Sequence, residues 1–260
     1  MSALLLGVLP FLLIAALYLA GSRARLAENP DDRLLPPVGA FVTTLQDYAV
    51  NEDLRTGERL LWADTRASLT RIGIALALAA ALGLTFGLAS GALPQVGATL
   101  GPFTAVLSVI PPLAVLPILF IVFGLGELAK IVLIVIGIAP VIARDLAQRV
   151  HELPQEQLVK AQTLGASSWQ LIVRVIGPQL LPRLVDSLRL SLGAAWLFLI
   201  SAEAIAADVG LGYRIFLVRR YMAMDVILPY VAWITLLAWL MDRLLRALRG
   251  RLWPWTDLGR

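Results

Sequence analysis

Of the 260 residues, 59% are hydrophobic and only 15% charged, an apolar share well above the roughly 45–50% of soluble domains, which excludes a chain whose main solvent is water. The net charge of +4 fits Arg-rich flanks of membrane segments rather than a nucleic-acid surface. With no cysteine and the single histidine His151, disulfide and thiolate chemistry are excluded, as is a histidine-cluster metal site.

Leu4 to Ala20 is an uncharged apolar run with no Lys or Arg ahead of it, and it is long for a signal-peptide core. It is therefore expected to be a retained first transmembrane helix, residues 1–20. Residues 21–71 are polar and carry Pro30, Pro36 and Pro37, which predicts an extended loop, periplasmic if the termini are cytoplasmic, followed by an amphipathic helix at Glu58 to Arg71.

Residues 72–245 are expected to form a core of five further spans. The second span of the chain, Ile72 to Ser90, contains Gly73, Gly83 and Gly87, with Gly91 just beyond it; small residues four apart let helix backbones approach closely. The third, from Leu100 to Phe123, is interrupted by Pro111, Pro112 and Pro117, which lack amide donors and clash with the preceding turn. Such a broken helix belongs inside a bundle or along a cavity.

Glu127 and Lys130 are expected in a tight turn before a fourth span ending near Arg144. A polar loop, 145–183, leads to the fifth span at Leu184 to Ala207, a second polar loop holds Asp208 to Asp225, and the last span runs from Val226 to Leu245. Six spans of roughly 20 residues each fit one compact bundle. Lys and Arg divide almost evenly between the two sides, so the positive-inside rule does not fix the orientation. The Arg246, Arg249 and Arg251 cluster in the tail, 246–260, favours cytoplasmic termini.

The loop sequence Gln155 to Pro182 reads as two short helices joined by a turn. Gly165 can take the left-handed conformation that ends the first helix. Ser167 followed by Gln170 is a capping-box pattern, so a second helix is expected from Ser168 until Gly177 and Pro178 stop it. The product is a knob protruding from the membrane.

Glu203 falls at the end of the fifth span, where an ionised side chain needs water, a partner or a cavity. It is a candidate path-lining residue, with a structural hydrogen bond to the neighbouring loop as the other reading; Trp196 and Ser201 are further candidates along the same span. Asp186 and Arg189, three apart, fit an interfacial helix pair. Trp233 and Trp239 are read as packing or interface residues. No Gly-x-x-x-x-Gly-Lys-Ser/Thr phosphate loop occurs, and no nucleophile–base pair or ligand cluster marks an enzyme. A secondary transporter would show two related halves, and no persuasive internal repeat exists.

The loop resembles the ATPase-docking loop of type I ABC importer permeases, whose pattern is Glu-Ala-Ala, three residues, Gly, then nine residues before Ile-x-Leu-Pro. Ala161, Gly165, Val175 and Pro178 fall on that spacing, while Val159, Lys160 and Gly177 depart from it. Over nearly the whole chain, the stretches LLPPVGAFV, VLSVIPPLAVLPILFIVFGLGELAKI, QTLGASSW and AEAIAADVGLGYRI are similar to the nitrate/sulfonate/taurine permease family.

The resemblance implies an all-α polytopic fold of six transmembrane helices, the type I ABC importer permease fold, in a bacterial inner membrane. It implies a homodimer of permeases on a homodimer of separate ATP-binding subunits, which would hold the ATP and Mg, together with a solute-binding protein. Lys160, Ala161, Gly165, Ala166 and Ser167 are then the expected ATPase contacts. NPDDRLLP and TGERLLWADTRASL look like permeases found with urea carboxylase systems, which implies a solute such as urea or guanidine. A guanidinium ion would suit the carboxylate of Glu203.

Overall fold

The computed structural model describes the backbone of residues 2–30, 32–54 and 56–257. Residue 1 of the expected first helix and residues 258–260 of the expected tail lie outside the described residues. The described chain is all helical: α1 (Ser2–Glu28), α2 (Val38–Ala49), α3 (Leu60–Ala92), α4 (Pro94–Leu107), α5 (Pro112–Phe123), α6 (Glu127–His151), α7 (Gln155–Thr163), α8 (Ser168–Leu171), α9 (Gly177–Ala206), α10 (Leu211–Val218) and α11 (Met224–Leu252). Five helices are long and apolar enough to cross a membrane, and the bent pair α4–α5 makes a sixth span if counted as one.

The bundle core is the parallel pair α3 and α6, with α9 and α11 packed beside it. Between apolar helices in lipid, close backbone approach and dispersion contacts carry association. Gly83, Gly87 and Gly91 supply that approach: a Cβ at these positions would lie 2.5 Å from Ile142, 2.8 Å from Leu146 and 2.6 Å from Val150. Gly73, read from sequence as part of the same stripe, meets nothing within 4 Å and takes no part in it. Only Gly83, Gly87 and Gly91 face α6.

Before residue 72 the structure differs from the sequence reading in three places. The first helix runs on past Ala20 to Glu28 and is tied down by Tyr18, whose hydroxyl donates to Pro36 O at 2.7 Å, and by Ser22, which donates to Leu35 O at 2.9 Å. Residues 60–71 are no separate amphipathic helix but the first turns of α3. Their polar face periodicity is real, yet it is turned inward. The expected extended loop also contains α2, which packs on α11 through an edge-to-face contact of Tyr48 with Tyr230.

The third span breaks only at Pro111 and Pro112, with a bend of 94° between α4 and α5. Pro112 opens α5 at a position where no amide partner is required, while Pro117 is carried inside the helix.

Gly177 and Pro178 do not stop the second loop helix. From Ser168 to Ala206 the chain is one continuous rod of 39 residues, about 58 Å at 1.5 Å per residue. A π-helical turn, Ile172–Ile176, sits ahead of Pro178, and the Gly177 amide donates to Ile172 O, five residues back. The widened turn absorbs the proline, which has no amide to donate.

Candidate functional site

One end of the bundle carries the knob. Helix α7 closes in a Schellman arrangement: the Gly165 amide donates to Gln162 O at 2.9 Å and the Ala166 amide to Ala161 O at 3.1 Å. This 6→1 and 5→2 pairing needs a left-handed residue, and Gly165 has φ +87°. The next helix starts at once through the expected capping box: the Ser167 amide donates to Gln170 Oε1 at 3.0 Å, and the Gln170 amide to Ser167 Oγ at 3.3 Å. The turn is therefore hydrogen-bonded on both sides while remaining in the open.

Lys160, Gly165 and Ser167 are exposed, and Ala161 and Ala166 are half-buried. All five sequence candidates thus meet on one turn. Sequence reasoning missed its two largest side chains, Leu164 (80% exposed) and Trp169 (72% exposed). Both stand out of an otherwise polar loop, and their place beside Gly165 was the available signal.

Behind the knob, α9 and α11 are laced together. Arg189 is 2.8 Å from Asp242 and 3.3 Å from Asp186, Arg249 is 3.1 Å from Asp186, and Arg246 is 2.9 Å from Asp242. The expected Asp186–Arg189 pair is present, but it belongs to a network that ties two helices together.

At the other end of the rod, charge is buried. Glu203 has no exposed surface. Its carboxylate accepts from Ser68 Oγ at 2.7 Å, from Arg71 Nη1 at 2.7 Å and from the Gly212 amide at 2.8 Å. Arg71 also donates from Nη1 to Val209 O at 2.7 Å and from Nη2 to Glu127 at 2.8 Å, and Lys130 reaches Glu127 at 2.9 Å.

Asp64, likewise fully buried, accepts from the Gly210 amide at 2.9 Å, from Arg214 Nε at 2.8 Å and from the Tyr230 hydroxyl at 3.1 Å. Ser68 Oγ in turn accepts from the Leu211 amide at 2.9 Å. Asp64, Ser68 and Glu203 thus hold three successive amides, Gly210 to Gly212, at the start of α10, where a helix favours negative charge.

Gly210 closes this corner. Its φ is +143°, and a Cβ there would sit 2.6 Å from Glu203 Cδ and 2.7 Å from Arg71 Nη1. The guanidinium that Glu203 binds is therefore the protein's own, and the fork expected for a guanidinium solute is occupied by Arg71, Ser68 and an amide. Of the other path candidates, Trp196 is buried in the core, and Ser201 returns its hydroxyl to Leu197 O of its own helix at 2.8 Å. Trp233 is held by Thr65 at 2.9 Å and by an edge contact with Trp62. Trp239 is exposed, beside Arg243.

Asp64, Ser68 and Arg71 were missed as a group. Their spacing of four and three continues the buried positions Leu61, Ile72 and Ala75, so the helical period marked them as inward-facing.

Residues 79–255 match the family of binding-protein-dependent transport system inner membrane components. The chain belongs to that family. It is 41% identical over 195 residues to the taurine transport system permease protein of Escherichia coli, covering 75% of this chain and 71% of that one. It is 30% identical over 210 residues to the nitrate import permease of Synechococcus elongatus, with 80% and 75% covered. A structure of the MetNI methionine ABC transporter in an inward-facing conformation superposes with a TM-score of 0.63 at 23% identity, over 72% of this chain and 95% of that one. The fold is that of a type I ABC importer permease, and the chain is a permease component of an importer of this kind.

Proposed function

We propose that this permease moves a small polar solute across the inner membrane by receiving force at the 155–178 loop from a separate ATP-binding subunit. ATP and Mg are held by that partner, a solute-binding protein delivers the cargo, and two copies of this chain enclose the path. The termini and the knob face the cytoplasm. The observation that carries this reading is the exposed Leu164–Gly165–Trp169 tip built directly onto the Ser168–Ala206 rod. A push on the tip is delivered, without an intervening flexible joint, to the Glu203 corner at the far end.

Lys160, Ala161, Gly165, Ala166 and Ser167 shape or border the surface that seats in the ATPase. The solute is of the kind handled by taurine, nitrate and sulfonate permeases, whose sequences resemble this one. Gly165→Asp is expected to abolish solute-stimulated ATP hydrolysis and uptake in proteoliposomes while membrane insertion and thermal stability stay at the wild-type level. Wild-type uptake by that variant would overturn the docking role.

A further inference from the structure

Helix α3 presents a second surface that none of the packing described so far uses. Near its start, a cleft of about 830 Å3 opens between α3, the beginning of α6 and the loop before α3. Its rim holds Glu52, Glu58, Arg59 and Arg66, its floor is the Arg71–Glu127 pair, and Ile74 and Ile131 close it toward the membrane. The ion pairs formed by the described residues include none of the four rim charges. Two guanidinium groups and two carboxylates therefore face the cleft unneutralised. Trp62, whose indole donates to Ala49 O at 3.0 Å, stands at the mouth, the level at which aromatic side chains anchor to the membrane interface.

Below the cleft the same seam turns apolar. Ile74, Leu78, Leu82 and Phe86, each four residues from the next, are 40–47% exposed. Leu82 and Phe86 then face Val135 and Ala139 across a second cavity of about 200 Å3, roofed by Leu100, Phe103 and Leu107 of α4. From Ile74 to Phe86 the stripe extends about 18 Å, somewhat more than one leaflet's half of a hydrocarbon core of about 30 Å.

We propose that the α3–α6 seam is a binding site for a zwitterionic phospholipid bearing a phosphate and a primary ammonium. Arg59 and Arg66 take the phosphate, Glu52 and Glu58 take the ammonium, and one acyl chain follows Ile74, Leu78 and Leu82 into the apolar cavity. A small polar solute matches the rim but leaves the apolar half of the seam without a role. An anionic headgroup matches the arginines but leaves the two carboxylates opposed to it. A lipid seated here also leans on the Arg71–Glu127 pair, so its occupancy braces the outer face of the buried charge cluster.

Native mass spectrometry of the permease, taken from bilayers containing equal phosphatidylethanolamine, phosphatidylglycerol and phosphatidylcholine, tests this. Wild-type protein is expected to retain phosphatidylethanolamine selectively. Retention should fall about tenfold for each guanidinium removed in Arg59→Gln and Arg66→Gln, the scale of one charge-assisted hydrogen bond. Arg66→Lys should restore most of the loss. Glu52→Gln with Glu58→Gln should turn the preference toward phosphatidylglycerol, and Arg23→Gln, on α1, should change nothing.

Equal retention of all three lipids, or of phosphatidylethanolamine by the arginine variants, would sink the proposal. So would a raised KM for solute uptake in Arg66→Gln with lipid retention unaltered, since that assigns the cleft to the solute. The chain has no native cysteine; an intermolecular disulfide formed by Leu78→Cys would place a second copy on the seam and overturn it equally.

Discussion

The two ends of the Ser168–Ala206 rod are both rich in charge and turn chemistry, yet they are built in opposite ways. At the Glu203 end, carboxylates, guanidiniums and amides are withdrawn from water and satisfy one another across α3, α6, α9, α10 and α11. At the knob end, the hydrogen bonds stay within a single turn, and the large apolar side chains point outward. Long-range bonds make the first end one solid body. Local bonds let the second keep a fixed shape while offering its surface to another molecule.

A buried ion network is weak evidence of net stability, because desolvation offsets most of the attraction, but removing one partner strands the others. The largest contrast is therefore expected from Glu203→Ala, which leaves Arg71 partly unpaired and the Gly212 amide without an acceptor. It should destabilise the protein by about 3–5 kcal/mol, read by thermal unfolding in nanodiscs. Stability unchanged by this variant would show that the cluster does not join the helices.

Gly210→Ala comes next. It sets a Cβ against Glu203 and Arg71 in a backbone region open essentially to glycine, for a loss of about 1–3 kcal/mol plus whatever displacement of the pair follows. Hydrogen exchange at the start of α10 should rise with it; unaltered protection there would mean that the corner is looser than its geometry.

At the knob the expected stability effect is smallest. Ser167→Ala removes one cap bond, worth about 1 kcal/mol, and because that turn touches little else, global unfolding should barely move. ATPase coupling should fall nonetheless. A large drop in unfolding temperature from this exposed position would erase the contrast between the two ends.

Much of the knob was legible in the sequence because its determinants are local. Gly165 marks a left-handed residue, and Ser167 with Gln170 marks a helix start, whatever the rest of the chain does. The stop at Gly177 and Pro178 was misread because a proline ends a helix only if the preceding turns cannot widen, and Ile172–Ile176 do. The charge cluster was legible only in fragments. Glu203 stood out as a charge in a span, but its side-chain partners lie 135 and 132 residues away on α3, and no local pattern names them. The α3–α6 seam is hidden for the same reason, since Arg71 and Glu127 stand 56 residues apart.

By itself, then, the sequence determined the membrane class, the apolar spans and the shape of the exposed turn at Gly165, since hydropathy, proline and capping act over a few residues. Tertiary structure alone decided what Glu203 does. A buried carboxylate is path or scaffold according to which atoms fill its coordination, and here those atoms come from Ser68, Arg71 and Gly212, brought together only when α3, α9 and α10 pack.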